Sequence, residues 1–206
     1  MKVLGYDPGG KGTHGVAAIN VSPSGVIVRA PVCDVLQHAG EAWKWLSANT
    51  DALALGIDTL MAWSLSGSRA CDNALRSRYP EHAPTVIPQN ALYSSMTLNG
   101  ALVARRAAKH GWPLFESHPK LLIRVLPSDD QAARSILGWY HSIKGDHGGT
   151  AKGAKRADDM ADAVVAAWCA AQGYLGRWKV DLFDTPGDEI ERVSEGAKYP
   201  WIEALS

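Results

Sequence analysis

"KVLGYDPGGKGTHGVAAINV" fills residues 2–21, and its reading decides the fold. Val3 to Tyr6 is an apolar run that reads as a strand ending on Asp7 at a Pro-Gly-Gly turn. "GVAAINV" (residues 15–21) reads as a second strand and "GVIVRAPV" (residues 25–32) as a third. "SPSG" at residues 22–25 has turn chemistry, so the second and third strands are expected to pair antiparallel. An unpaired carboxylate near a core is costly. Asp7 is therefore either a turn former at an exposed strand end or a group held in place for chemistry.

Outward from this stretch, helices alternate with strands. Residues 39–49 read as an amphipathic helix and residues 52–58 as a buried strand that again ends on an acid, Asp58. "SRACDNALRSRY" reads as a helix, and residues 89–111 as a long helix stopped by glycine. "WPLFES" is a short strand ending on Glu116, and "PSDDQAARSILGWYHSI" is a helix. "HGGTAKGAKR" (residues 147–156) reads as a mobile basic loop before the helix "ADDMADAVVAAWCAAQGY". The order implies an α/β fold with a mixed sheet, an N-terminal antiparallel meander and flanking helices, over residues 1–175. Residues 176–206 read as a tail or small peripheral element.

Composition bounds the function classes. The chain has 206 residues, with 46% hydrophobic and 20% charged, which suits a globular domain. Lys plus Arg equals Asp plus Glu at 21 each, so a nucleic-acid partner would need a local basic patch. The three cysteines, Cys33, Cys71 and Cys169, are widely spaced and form no CxxC, which points to reduced thiols and a cytoplasmic setting rather than a disulfide framework. No signal peptide, membrane-spanning run, Gly-x-Ser-x-Gly elbow or Walker-type loop is read.

Acids gather where a ligand would. In an open α/β sheet, ligands bind outside the carboxyl ends of the strands, and Asp7, Asp58 and Glu116 all fall at strand ends. In the last helix, Asp158 and Asp162 are i, i+4 and Asp159 and Asp162 are i, i+3, so either pair shares a face, followed by small residues that allow close packing. Each acid has a bland reading, as turn former or helix-dipole partner. Together they suit a hard divalent cation, Mg2+ or Mn2+, which prefers oxygen ligands. In "ESHP", Glu116 and His118 read as an added metal ligand or acid/base pair, or as a capped helix start with a solvated His. Arg69, with Asp72 at i, i+3, is a phosphate contact or an ion pair. Lys152, Lys155 and Arg156 are candidate nucleic-acid contacts in a glycine-rich loop.

The motifs resemble the ribonuclease H-like superfamily. "VLGYDPGGKGTHGVAAI" is similar to the first hairpin of RuvC-type Holliday-junction resolvases, and "DDMADAVVAAW" to their last helix. The order "GID", "SRACDNALR", "FESHPKLL" and the Asp-x-x-Asp helix is similar to an uncharacterised branch described only as predicted nucleases. The resemblance implies a two-metal nuclease acting on DNA or RNA. Asp7 would be the shared ligand, Asp58 would stand where the resolvases usually carry Glu, and Asp159 and Asp162 would face the metals. Catalytic roles pass to Asp7, Asp58, Asp159, Asp162, Glu116 and His118, and a homodimer is possible. Two other readings stay open: an actin-like ATP-binding domain, with "GDHGGT" as a second phosphate loop, and a non-catalytic interaction module.

Overall fold

A computed structural model describes residues 1–87, 94–187 and 189–203. Five strands form a mixed sheet: β1 (Lys2–Asp7), β2 (His14–Asn20), β3 (Val32–Leu36), β4 (Ala52–Ile57) and β6 (Leu114–Glu116), in the order β3-β2-β1-β4-β6. The meander β1-β2-β3 is antiparallel, and β4 and β6 join parallel to β1. The α/β class and mixed sheet expected from the sequence are present.

The third strand lies later than expected. Residues 22–26 do turn, with Ser22 N–H donating to Val26 C=O at 2.9 Å and Val21 bridging Ile27. The regular ladder with β2 begins only at Val32.

The long last helix, α6 (Ala151–Tyr174), packs across β1, β2 and β4. Three strand glycines allow it to sit directly on the backbone. A Cβ added at Gly5 would fall 1.9 Å from Ala163 C=O, at Gly15 2.1 Å from Asp159 C=O, and at Gly56 2.0 Å from Ala166 C=O. Side chains alternate along a strand, so Gly5 and Asp7 share the α6 side of β1, and Gly56 and Asp58 share it on β4. The opposite side carries Leu4, Tyr6, Val16, Leu55 and Ile57, all fully buried. It is covered by α1 (Ala39–Ser47) and α3 (Ser94–His110), which also touch each other.

Several elements were not expected. Of the loop expected over residues 147–156, only residues 147–150 are a connection: α6 starts at Ala151, with the Thr150 side chain capping Gly153 N–H. A short helix α4 (Pro119–Val125) follows β6, and α2 (Ala70–Arg78) and α5 (Gln131–Gly145) stand where helices were read. The part of the expected 89–111 helix that precedes Ser94 lies outside the described residues.

The C-terminal stretch packs against the rest of the domain. Tyr199 and Trp201 are buried, and Lys198 exchanges backbone hydrogen bonds with Leu114 and Glu116 at the sheet edge. Strand β8 (Ile190–Arg192) pairs with β5 (Ala62–Ser64), and β7 (Val180–Asp181) with β9 (Pro200–Trp201). Cys33, Cys71 and Cys169 are free thiols. No helix among the described residues is long and apolar enough to cross a membrane.

Candidate metal centre and adjoining cavity

Asp7 ends β1 and is buried at 7% exposure, beside Gly15 of β2. The Gly15 position places it next to α6: a Cβ built there is 2.1 Å from Asp159 C=O and 3.3 Å from Asp7 Cβ. Asp58 continues β4, its N–H still bonded to Tyr6 C=O at 2.9 Å. Asp159 and Asp162 project from α6 and are buried at 5% and 3% exposure. Four carboxylates predicted to meet are thus brought to one end of the sheet.

Their electrostatics follow from this crowding. Burial pushes the Asp7 carboxyl well above its ordinary range, and Asp58, Asp162 and Asp159 push it further. Asp58 is raised by burial and then by Asp162. Asp162 rises to about 7, through burial and Asp158, with Lys120 pulling the other way. Asp159 is raised by burial against the pull of Lys155.

Lysines supply the countercharge. Lys120 Nζ stands 3.7 Å from Asp162 Oδ2 and 3.9 Å from Asp158 Oδ2, Lys144 Nζ is 2.6 Å from Asp158 Oδ1, and Lys155 Nζ is 2.9 Å from Asp159 Oδ1. Burial alone would lower the Lys120 pKa, but Asp162, Asp158, Asp58 and Asp7 outweigh it and raise it. Two carboxylate oxygens, Asp159 Oδ2 and Asp162 Oδ1, are buried with no hydrogen-bond partner among the described residues. No group of three or more His, Cys, Asp or Glu among the described residues stands close enough to hold an ion as arranged.

Glu116 does not join these acids. Register explains why: β6 aligns Glu116 with Ile57, one residue out of phase with Gly56 and Asp58. A single step along a strand reverses the face. Glu116 therefore points away from α6 and meets Arg69, whose Nη2 is 2.7 Å from Glu116 Oε1 and Nη1 3.0 Å from Oε2. Glu116 Oε2 also accepts the Met61 N–H at 2.6 Å.

Arg69 is likewise displaced from its predicted role. It is 1% exposed and cannot reach a phosphate in solvent. It forks onto Asp72 through Nε (2.8 Å) and Nη2 (2.7 Å), and Nη1 also reaches Ala62 C=O. The Arg69–Asp72 pair read as an ion pair is one, but buried and shared with Glu116. Breaking such a pair strands a buried charge, at a cost of about 3–5 kcal/mol.

The basic residues of the predicted loop lie in the first turns of α6. Lys155 pairs with Asp159, and Arg156 pairs with Asp34 and donates to Val35 C=O at 3.1 Å. Lys152 is exposed. Residues 146–150 connect α5 to α6 rather than following a strand, which removes the structural setting that a second phosphate loop needs.

His118 is half-buried at the start of α4, and its side chain caps nothing there. Its enclosure pulls its pKa down to about 4, so it is neutral near pH 7. With Ser117 and Lys120 it lines a cavity of about 110 Å³ that also takes in Asp58. Sequence reasoning missed Lys120 and this cavity. The only signal was a lysine one residue into a helix that began with His-Pro.

Comparisons with protein-family models, with curated proteins and with solved structures return no match for this chain.

Proposed function

We propose that the protein is a metal-dependent nuclease, cleaving phosphodiester bonds of nucleic acid on a ribonuclease H-like fold. One observation carries this reading: Asp7, Asp58, Asp159 and Asp162 meet at one sheet end, with Asp159 Oδ2 and Asp162 Oδ1 buried and unpartnered among the described residues. The strand order supports it, with acids on the first strand, after the fourth and on the last helix.

The donor chemistry fits Mg2+ or Mn2+. All four groups are hard carboxylates, and two of their oxygens lack a partner. Asp7, Asp58, Asp159 and Asp162 would hold the metal. Since no three of them are grouped to do so as they stand, loading requires Lys120 and Lys155 to release Asp162 and Asp159. Bound there, such ions would lower the pKa of a water and neutralise charge developing on the phosphate.

The chain's own residues contribute the rest. The Gly5, Gly15 and Gly56 contacts fix α6 so that its acids cannot drift from Asp7. Lys120, 54% exposed in its side chain, is free to turn toward a phosphate oxygen once released. Glu116 holds Arg69, and so the wall beside the site, rather than a metal.

The test is cleavage of single-stranded, duplex, RNA–DNA hybrid and branched oligonucleotides with Mg2+, Mn2+ or Ca2+. Cleavage is expected with the first two. Ca2+ should occupy the acids without supporting turnover, because it accepts looser geometry and activates water less. Asp7→Asn should lower the rate by at least 100-fold with its circular dichroism unchanged. Activity that survives Asp7→Asn would reject the assignment. Metal binding without cleavage of any substrate would favour a non-catalytic module.

A further inference from the structure

The cavity beside the acids has a composition that the cleavage chemistry does not require. It lies at the C-terminal ends of β4 and β6 and shares Asp58 and Lys120 with the acid cluster. Its apolar walls are Leu60, Val86, Ile87 and Met96, and its polar groups include Ser117 and His118. Ser117 is 3% exposed, and its Oγ has no hydrogen-bond partner among the described residues. A buried hydroxyl without a partner is a cost that a ligand's polar edge would relieve.

Charge inside the cavity selects against an anion. Arg69 lines it, but five hydrogen bonds to Asp72, Glu116 and Ala62 already occupy its donors. One guanidinium and two carboxylates leave that wall net negative, so a phosphate is repelled from the interior. The cation available to a phosphate is Lys120, on the side shared with the acids.

Size narrows the occupant. One water needs about 10–15 Å³ on this measure, so a cavity of about 110 Å³ has room for a single small ring system. An apolar-walled slot with several hydroxyls, the Ser117 one buried and unpartnered among the described residues, next to a phosphate-directed lysine, matches a neutral heteroaromatic ring that carries a phosphate.

We infer that this cavity is a nucleobase-binding subsite, taking the base of a nucleotide next to the phosphodiester that the acids engage. The ring lies against Leu60, Val86 and Met96, its polar edge meets Ser117 and His118, and its phosphate meets Lys120. The phosphodiester half of this inference rests on the nuclease reading, whereas base binding in the cavity does not.

The experiment measures the four 2′-deoxynucleoside 5′-monophosphates by saturation-transfer NMR, with and without millimolar Mg2+, on wild type, Met96→Trp and Ser117→Ala. Transfer to the base protons of at least one nucleotide is expected in wild type. Filling the cavity in Met96→Trp should weaken that binding at least 10-fold, and Ser117→Ala should weaken it several-fold. If Met96→Trp fails to fold, Ile87→Trp replaces it, since Ile87 is 39% exposed and tolerates a larger group. No transfer from any base, or equal transfer in the filled variant, overturns the inference. Cleavage of oligonucleotides with no mononucleotide binding would leave the nuclease reading standing and remove the subsite. Mononucleotide binding with no cleavage of any oligonucleotide would do the reverse.

Discussion

Asp162 and His118 titrate in opposite senses, and this gives the site a readable pH signature. Asp162 is raised from 3.8 to about 7 by burial and by Asp158, against the pull of Lys120. Between those values the folded protein holds a proton that the unfolded chain has released. Its contribution to stability therefore falls as pH rises through that window. His118 is lowered from 6.5 to about 4, so the unfolded chain takes up a proton first as pH falls. Its contribution rises with pH over that range. The two partly offset each other, so the wild-type curve alone is a poor readout. The difference between wild type and Asp162→Asn isolates the acid. Near pH 4 the two should be similarly stable. By pH 8 the variant should be the more stable by on the order of 4 kcal/mol. Urea denaturation across pH 4–8 measures this. A difference that stays flat with pH would mean that Asp162 is not held protonated. Mn2+ at pH 8 should recover stability in wild type and not in the variant, because a ligand of the folded state stabilises by mass action.

At the level of elements, the contact between α6 and the strands decides whether the acids meet. Gly5 and Gly56 are paired across β1 and β4, and each lies against an α6 carbonyl. Neither has room for a methyl group without moving the helix. Gly56→Ala should therefore destabilise the fold by about 3 kcal/mol, at the upper end of overpacking costs. It should also reduce the metal-induced rise in thermal midpoint, because α6 carries Asp159 and Asp162 away from Asp7. Gly138→Ala, where an added Cβ meets nothing within 4 Å, is the control and should be neutral or better. Equal metal response in both variants would separate the helix contact from the site. This contact also marks what the sequence could tell. Asp7, Asp58 and the Asp159/Asp162 pair were legible because each closes or opens a local pattern: a strand end or a helix face. Glu116 was misread because its side depends on the register between β4 and β6, a non-local fact that the strand pattern alone does not carry. The start of α6 was hidden by Gly148, Gly149 and Gly153, which read as a loop, although Thr150 supplies a cap. The pairing of β5 with β8 joins three-residue segments far apart in sequence, too short for any periodic signal. The unmatched hydroxyl of Ser117 and the neighbouring cavity are products of packing, with no motif of their own.

Over the whole molecule, equal numbers of acids and bases conceal a strong local arrangement. Buried carboxylates sit at one end of the sheet, and Lys120, Lys144 and Lys155 surround them as countercharges. In the metal-free protein these lysines are occupied by Asp162, Asp158 and Asp159, so on the nuclease reading the neutral chain should bind nucleic acid weakly until a cation is present. A divalent ion that takes over Asp159 and Asp162 would release the Lys155 and Lys120 ammonium groups where the nuclease reading puts a phosphate backbone. Affinity for nucleic acid should then depend on metal even without turnover. The measurement is duplex affinity against NaCl concentration, with and without a fixed millimolar level of Ca2+, chosen because it is expected to bind without supporting cleavage. Each released lysine that meets a phosphate steepens the log–log salt slope by about 0.9. Metal at Asp159 and Asp162 frees Lys155 and Lys120, while Lys144 stays on Asp158, so Ca2+ should tighten binding and steepen the slope by roughly two. Replacing Lys120 and Lys155 together with Ala should abolish that steepening, because the phosphate contacts are gone whether or not metal is bound. A wild-type slope that does not change with Ca2+ would mean that the lysines serve only as countercharges to the acids.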